Sequence, residues 1–287
     1  MPLISPMALS QPASSLARFF YVVARGCPVF GAAFCACASP VSSSPSALTL
    51  SAGLGAQSFS YTEFSPAAPN GILDTETASR LNVLQLQAMY APLMTVAGGD
   101  LPLTVQGRYR MTQGDTRYDG YWQQGGNLTP HRDVTGNRFE DWQVRIGVSL
   151  ERGDLTLTPF AAFGGHVWRR DLAQYREDFR HEQWQAGLAA GWRWRPGLEW
   201  LAELSAGRMR QASIAVPALG FAADLGRGAV REAAAGLRWR VTPSSTLELR
   251  AERQSFDYGA SAVVNGFMEP ESRTVRKQVL VSLGYGI

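Results

Sequence analysis

Lysine is almost missing from this chain: Lys277 is the single lysine among 27 basic residues, and the rest are arginines. Histidine and cysteine occur three times each, and charged residues make up only 18% of the whole. All three cysteines (Cys27, Cys35 and Cys37) lie near the front, so the body of the chain has none to build a disulfide framework. No apolar run approaches the ~18 residues of a membrane helix, which excludes a helical membrane protein. A concentrated basic face is also missing, which argues against a nucleic-acid partner. Setting aside Arg18 and Arg25, which stand in an acid-free front segment, leaves 25 basic against 24 acidic residues. Arginine in place of lysine suits forked recognition of phosphate, although a base-composition bias that also enriches Ala, Gly and Pro accounts for it equally well.

The front segment has the parts of an export signal: Arg18 and Arg25, a short apolar run from Cys27 to Phe34, then Ala36-Cys37-Ala38. Residues 1–38 are therefore expected to be a signal peptide cleaved near Ala38. Residues 39–46 are expected to be a Ser/Pro linker, and 47–287 the folded body.

In that body the dominant signal is period-two alternation, the mark of strands with one greasy and one polar face. From His181 to Gly207, Trp184, Ala186, Leu188, Ala190, Trp192 and Trp194 share one parity. After Pro196-Gly197, Leu198, Trp200, Ala202 and Leu204 repeat the pattern. Each arm is about ten residues, the length a tilted strand needs to cross a bilayer. The same pattern recurs from Ala47, around Leu84–Tyr90, Leu101–Arg110, Trp142–Leu150, Leu155–Trp168, Ala233–Val241, Leu247–Glu252 and Val279–Ile287, about ten strands in all. Short breaks near 97, 152, 196 and 243 alternate with long polar segments: 65–71, 112–138, 169–180, 211–227 and 259–273. The expected fold is all-β, an up-and-down antiparallel transmembrane β-barrel with short periplasmic turns and long extracellular loops. Trp192, Trp194, Trp200 and Trp239 sit beside short turns, and Trp142 and Trp184 at the opposite strand ends, as two membrane-interface girdles would.

The closing Gln278-Val-Leu-Val-Ser-Leu-Gly-Tyr-Gly-Ile287 resembles the terminal strand signal of bacterial outer-membrane barrels. Leu155-Thr-Leu-Thr-Pro-Phe-Ala-Ala-Phe-Gly-Gly and Tyr118-Asp-Gly are similar to segments of proteobacterial surface barrels. The resemblance implies residence in the bacterial outer membrane, contact with its lipid and lipopolysaccharide, and insertion by the barrel assembly machinery. In strand number it implies an omptin-sized barrel. Omptin proteolysis, as that resemblance would have it, needs D-x-D and D-x-H pairs. Here Asp115 and Asp119 are four apart, and Asp178 precedes His181 by three. His131, His166 and His181 lack a serine two residues on, the spacing expected of outer-membrane lipid hydrolases. The expectation is a non-enzymatic protein without cofactor or metal, with a small solute channel as the alternative.

The inward parity carries Arg108, Arg110, Arg145, Arg193, Arg195, Glu199, Glu203, Glu232, Arg238, Arg240, Glu248, Arg250 and Glu252. With both signs mixed, these are expected to interlock as a plug rather than line a selective pore. A three-residue turn after Trp194 would oppose Arg195 to Glu199, whereas a two-residue Pro-Gly turn would oppose Trp194 to Glu199. In the longest polar segment Arg117, Tyr118, Tyr121, Trp122 and Arg132 are candidate surface-binding residues for sugar and phosphate groups. Asp115, Asp119 and Asp133 there have no calcium-loop spacing.

Overall fold

The computed structural model describes residues 48–96, 99–124, 127–173 and 175–287; the expected signal peptide, its cleavage site and the linker lie outside them. Ten long strands carry the fold among the described residues. They are β1 (Leu48–Phe64), β2 (Ile72–Tyr90), β3 (Gly99–Gln124), β4 (Asn127–Val148), β5 (Leu155–Leu172), β6 (Tyr175–Arg195), β7 (Leu198–Val216), β8 (Ala229–Arg240), β9 (Ser245–Tyr258) and β10 (Glu271–Gly286). Each pairs antiparallel with the next, and β10 returns to β1, from Thr49 opposite Gly286 to Phe64 opposite Glu271. The sheet is thereby a closed barrel. Closure is what a lipid-facing sheet requires, because an unpaired edge in hydrocarbon leaves backbone groups without partners.

One end is closed by tight connections. Pro196-Gly197 joins β6 to β7, and Gly197 takes φ +78°, a left-handed conformation that favours glycine. Arg193 lies opposite Glu199, and Arg195 lies opposite Leu198, with a bulge between them. Neither register expected from the sequence holds. The bulge absorbs one residue at Trp194, so a two-residue turn keeps the tryptophans outside without opposing Arg195 to Glu199.

The outward face between the tryptophans is aliphatic and open: Leu54 is 68% exposed, Leu204 67% and Leu283 62%. Trp192, Trp194, Trp200 and Trp239 stand outward near the short-turn end. At the belt's other margin Phe163 bridges Trp142 and Trp184, at 5.3 and 4.6 Å between ring centroids. Trp142 lies over Gly165, where a Cβ would stand only 2.4 Å from the indole nitrogen. So wide a band of bare aliphatic groups with aromatic margins is a surface for lipid, not water.

Past that margin the strands continue. β3 has 26 residues and β4 has 22, well beyond the 9–11 that a bilayer crossing needs. Of the segment 112–138, expected as an irregular loop, residues 112–124 and 127–138 are the upper halves of this hairpin, and residues 169–172 and 175–180 pair β5 with β6 in the same way. The sequence hid them because both faces turn polar above the belt: the outer side meets water, while inward Thr116, Thr135 and Asn137 bond one another and Glu76. Inside the bore at this level lies an apolar cluster of buried residues, including Phe59, Tyr61, Phe139, Trp168, Phe179, Phe256 and Tyr258.

The belt makes a direct prediction. Leu204→Arg, at the middle of the outward face of β7, should destabilise the barrel refolded in lipid vesicles by ~2–4 kcal/mol. A loss near zero in urea unfolding would mean that Leu204 faces water.

Candidate functional site

The inward side chains form layers along the bore. At the short-turn mouth is a polar vestibule of about 610 Å³, lined by Gln85, Arg193, Glu199, Arg238, Arg240 and Glu248. Arg238 bridges Glu199 at 3.2 Å and Glu248 at 2.8 Å. Above it the bore is spanned by ion pairs. Arg108 meets Glu232 at 3.2 Å and Glu252 at 3.3 Å; Arg110 meets Glu252 at 2.8 Å; Arg145 and Arg250 both hold Glu203, at 2.9 and 3.0 Å. Gln85 accepts two bonds from Arg110, and the Arg145 guanidinium lies 4.2 Å from the Phe160 ring centroid.

Next comes Asp141, gripped at 2.9 Å by both terminal nitrogens of Arg276 and at 2.6 Å by Nδ1 of His166. His181, beside His166, contacts the Tyr258 hydroxyl at 2.8 Å. The aromatic layer follows. Trp168 is wholly buried, stacked on Phe179 at 4.6 Å and on Phe139 at 5.6 Å, and it donates to Asn137 at 2.5 Å. Above the rings, Arg170 faces Tyr61, Trp168 and Phe179 at 5.2–5.6 Å and pairs with Glu76 at 3.1 Å, Glu63 at 3.6 Å and Glu177. Tyr61 donates to Glu63 at 2.6 Å or to Glu269 at 3.0 Å.

Ten of the thirteen expected lumen charges meet in these pairs. Arg193 and Arg240 line the vestibule instead, where Arg193 donates to the Gly153 carbonyl at 3.1 Å. Arg195 is a correction: the bulge carries it out of the network, and its guanidinium lies 4.4 Å from the Trp194 ring centroid. The five candidate surface-binding residues do not share a face. Tyr118 and Trp122 point inward, Tyr118 buried and Trp122 packed on His131 at 4.9 Å, while Arg117 and Arg132 are exposed outside. Strand pleating divides them, because the segment is a hairpin and not a loop that could gather them. Asp119 occupies Arg132 at 2.9 Å. Asp178 and His181 also diverge: Asp178 binds Arg176 outside, and His181 is buried in the bore.

The sequence matches no protein-family model and no curated protein. Among solved structures, the outer membrane protease OmpT from Escherichia coli aligns over 87% of this chain and 99% of its own, with a TM-score of 0.55 and 10% identity. The chain is an omptin-sized barrel of the bacterial outer-membrane type. The translocator domain of autotransporter NalP from Neisseria meningitidis aligns over 95% and 98% (TM-score 0.43, 14% identity), and an outer membrane channel from Pseudomonas putida F1 over 86% and 100% (0.42, 10%). At these identities the likeness concerns the fold alone.

The outer-membrane barrel's aromatic layer and its Arg170 cage were missed in the sequence, yet they left a sign. Phe59 and Tyr61 have the parity opposite to Leu50, Ala52 and Leu54, and Phe256 and Tyr258 have the parity opposite to Leu247, Leu249 and Ala251. Aromatics changing parity halfway along a strand mark the height at which apolar groups move from outside to inside.

In the cage, Glu63, Asp74, Glu76, Glu177 and Glu269 surround one guanidinium. Burial first, and the Glu63 carboxylate second, hold Asp74 and Glu269 well above the usual carboxylate range, and burial raises Glu177 against the pull of Arg170. A carboxyl raised in the folded state binds its proton more tightly there than when unfolded. Its contribution is complete below the unfolded pKa of ~4 and is lost as pH climbs through the raised folded value. The long-hairpin end of the barrel should therefore be more resistant to urea at pH 5 than at pH 8. Asp74→Asn should flatten that slope and raise resistance to urea at pH 8 above that of the parent. An unchanged slope would contradict this origin.

Proposed function

We propose that this chain resides in the outer membrane as a plugged, non-enzymatic barrel that holds up a rigid extracellular cap for surface interaction or envelope integrity. The observation that supports it best is the filled bore. Arg110, Glu232, Glu252, Phe139, Trp168 and Phe179 are all buried at successive heights, so a solute would have to break ion pairs and separate stacked rings to pass. Breaking a buried ion pair by removing one partner costs ~3–5 kcal/mol, and two such layers lie in series. The vestibule favours the solute-channel alternative only at its own end, because it stops beneath the Arg108–Glu252 layer. As an outer-membrane protein the chain would meet lipid and lipopolysaccharide and be inserted by the barrel assembly machinery. Its surface role would fall to the β3–β4 hairpin, whose 26- and 22-residue strands run well past the belt, and to the β5–β6 hairpin beside it.

Planar-bilayer recording tests this reading. Refolded protein whose native state is verified by heat-dependent gel migration should give no unitary conductance steps. A quadruple variant thinning both layers, R108A/E252A/F139A/W168A, should give them. Stable steps from the unaltered protein would replace the plug with a channel.

A further inference from the structure

The cations bordering the outward belt differ between the two sides of the barrel. On β4–β6 three of them are matched, with Glu140 taking Arg138 at 3.0 Å and Arg169 at 3.2 Å and Asp178 taking Arg176 at 3.3 Å, while the exposed Arg180 on β6 has no carboxylate among the described residues. On β7–β10 they are not. The first charged outward residue above the belt is Arg208 on β7, Arg231 on β8, Arg253 on β9 and Lys277 on β10. All four are exposed, and among the described residues none has a carboxylate within ion-pair distance. Arg253 and Lys277 lie directly opposite one another in the β9–β10 register. Like charges so placed repel across the strand pair, which weakens the sheet unless an anion lies between them.

Just beneath this row the surface is hollow. Ala56, Ala233, Ala235, Ala251 and Val279 floor a depression of about 660 Å³ whose upper rim includes Arg253 and Lys277. A second, of about 520 Å³, lies beside it between Leu204, Ala206 and Ala233, rimmed by Arg231 and Arg253. Leucine or tryptophan stands outward lower on the same strands, so the alanines form a groove where acyl chains can lie flat. A phosphate above acyl chains carries the complementary charge at the complementary height.

We propose that this sector is a binding site for a phosphorylated lipid of the outer leaflet, with phosphate bridging Arg253 and Lys277, Arg231 and Arg208 extending the site, and acyl chains seated on the alanine groove. The inference rests on the membrane reading and is independent of whether the bore conducts.

Native mass spectrometry of the refolded full chain in detergent, with bis-phosphorylated lipid A added, tests it. The unaltered protein should retain the lipid. R253Q/K277Q should lower the retained fraction about tenfold, as should dephosphorylated lipid A offered to the unaltered protein. Arg273→Gln, at a cation already held by Asp257 at 2.8 Å, should change nothing. R253Q/K277Q should also melt no lower than the parent in lipid-free detergent while losing the rise in melting temperature that lipid A gives the parent. Equal retention by parent and double variant, or retention indifferent to the lipid's phosphates, would overturn the proposal. Complete displacement by millimolar inorganic phosphate would overturn it too, since the site would then be one for the free anion. Conductance and heat-dependent migration of the same samples report on the plug and the barrel separately.

Discussion

Arg108 sits in the middle of the bore with Glu232 and Glu252 at 3.2 and 3.3 Å, and the whole barrel is arranged around that kind of contact. Ten strands enclose a space that side chains can just fill, and lipid outside removes any prospect of solvating a charge through the wall. Arg238 finds its carboxylates on the two neighbouring strands, whereas Arg108, Arg110 and Arg145 reach theirs across the bore. Arg110 on β3 reaches Glu252 on β9, and Arg145 on β4 reaches Glu203 on β7. These are contacts between strands far apart in the sheet, so they fix the bore's cross-section in a way that the neighbour-to-neighbour ladder cannot. Buried pairs of this kind add little net stability compared with an apolar filling, but losing one partner is costly. Their contribution is specificity of closure.

Charge balance changes with height. Within the belt, five arginines (Arg108, Arg110, Arg145, Arg238 and Arg250) face five glutamates (Glu199, Glu203, Glu232, Glu248 and Glu252), and one level up Arg276 answers Asp141. In the cage above the aromatic layer, Arg170 alone faces five acids. Where lipid surrounds the wall, neutrality is achieved with opposite charges. Beyond the lipid, it is achieved with protons, which the surrounding water can supply. The aromatic layer between the two regimes separates a fixed electrostatic network from a titrating one.

The fold was legible in the sequence because lipid imposes a strong rule: outward positions must be apolar, and period two then shows strand, direction and margin together. Trp184, Trp192, Trp194, Trp200 and Trp239 could be placed outside from parity alone, and most of the lumen charges inside by the same parity. The rule lapses where water replaces lipid. Thr112–Arg138 has no apolar face to reveal its pleat, so a 26-residue strand and its partner resemble a loop, and Tyr118 and Arg117 seem to belong together when a pleat separates them. Register at Pro196-Gly197 failed for a different reason. A bulge moves one residue without changing composition, and its trace in the structure is the pairing of Arg195 with Leu198. Which arginine meets which glutamate was equally hidden, since those contacts cross the bore and depend on shear rather than on neighbouring strands.

The same reasoning gives the unmatched cations their significance. Inside the barrel no arginine of the ion-pair layers goes unanswered, even where an answer requires a partner five or more strands away in sequence. On the outer surface of β4–β6, Glu140 and Asp178 serve Arg138, Arg169 and Arg176. Among the described residues Arg80, Arg117 and Arg180 are also exposed without carboxylates, but Arg208, Arg231, Arg253 and Lys277 stand so on four successive strands, and two of them lie face to face. Repulsion at a solvent-exposed pair is small, but the position is the boundary where hydrocarbon gives way to headgroups, and there phosphate rather than water is the nearest neighbour. The alanines below give up outward bulk on the strands that carry those cations, so the groove and the charge row are features of one sector. An acid placed among the four would relieve the repulsion and close the site to an anionic lipid.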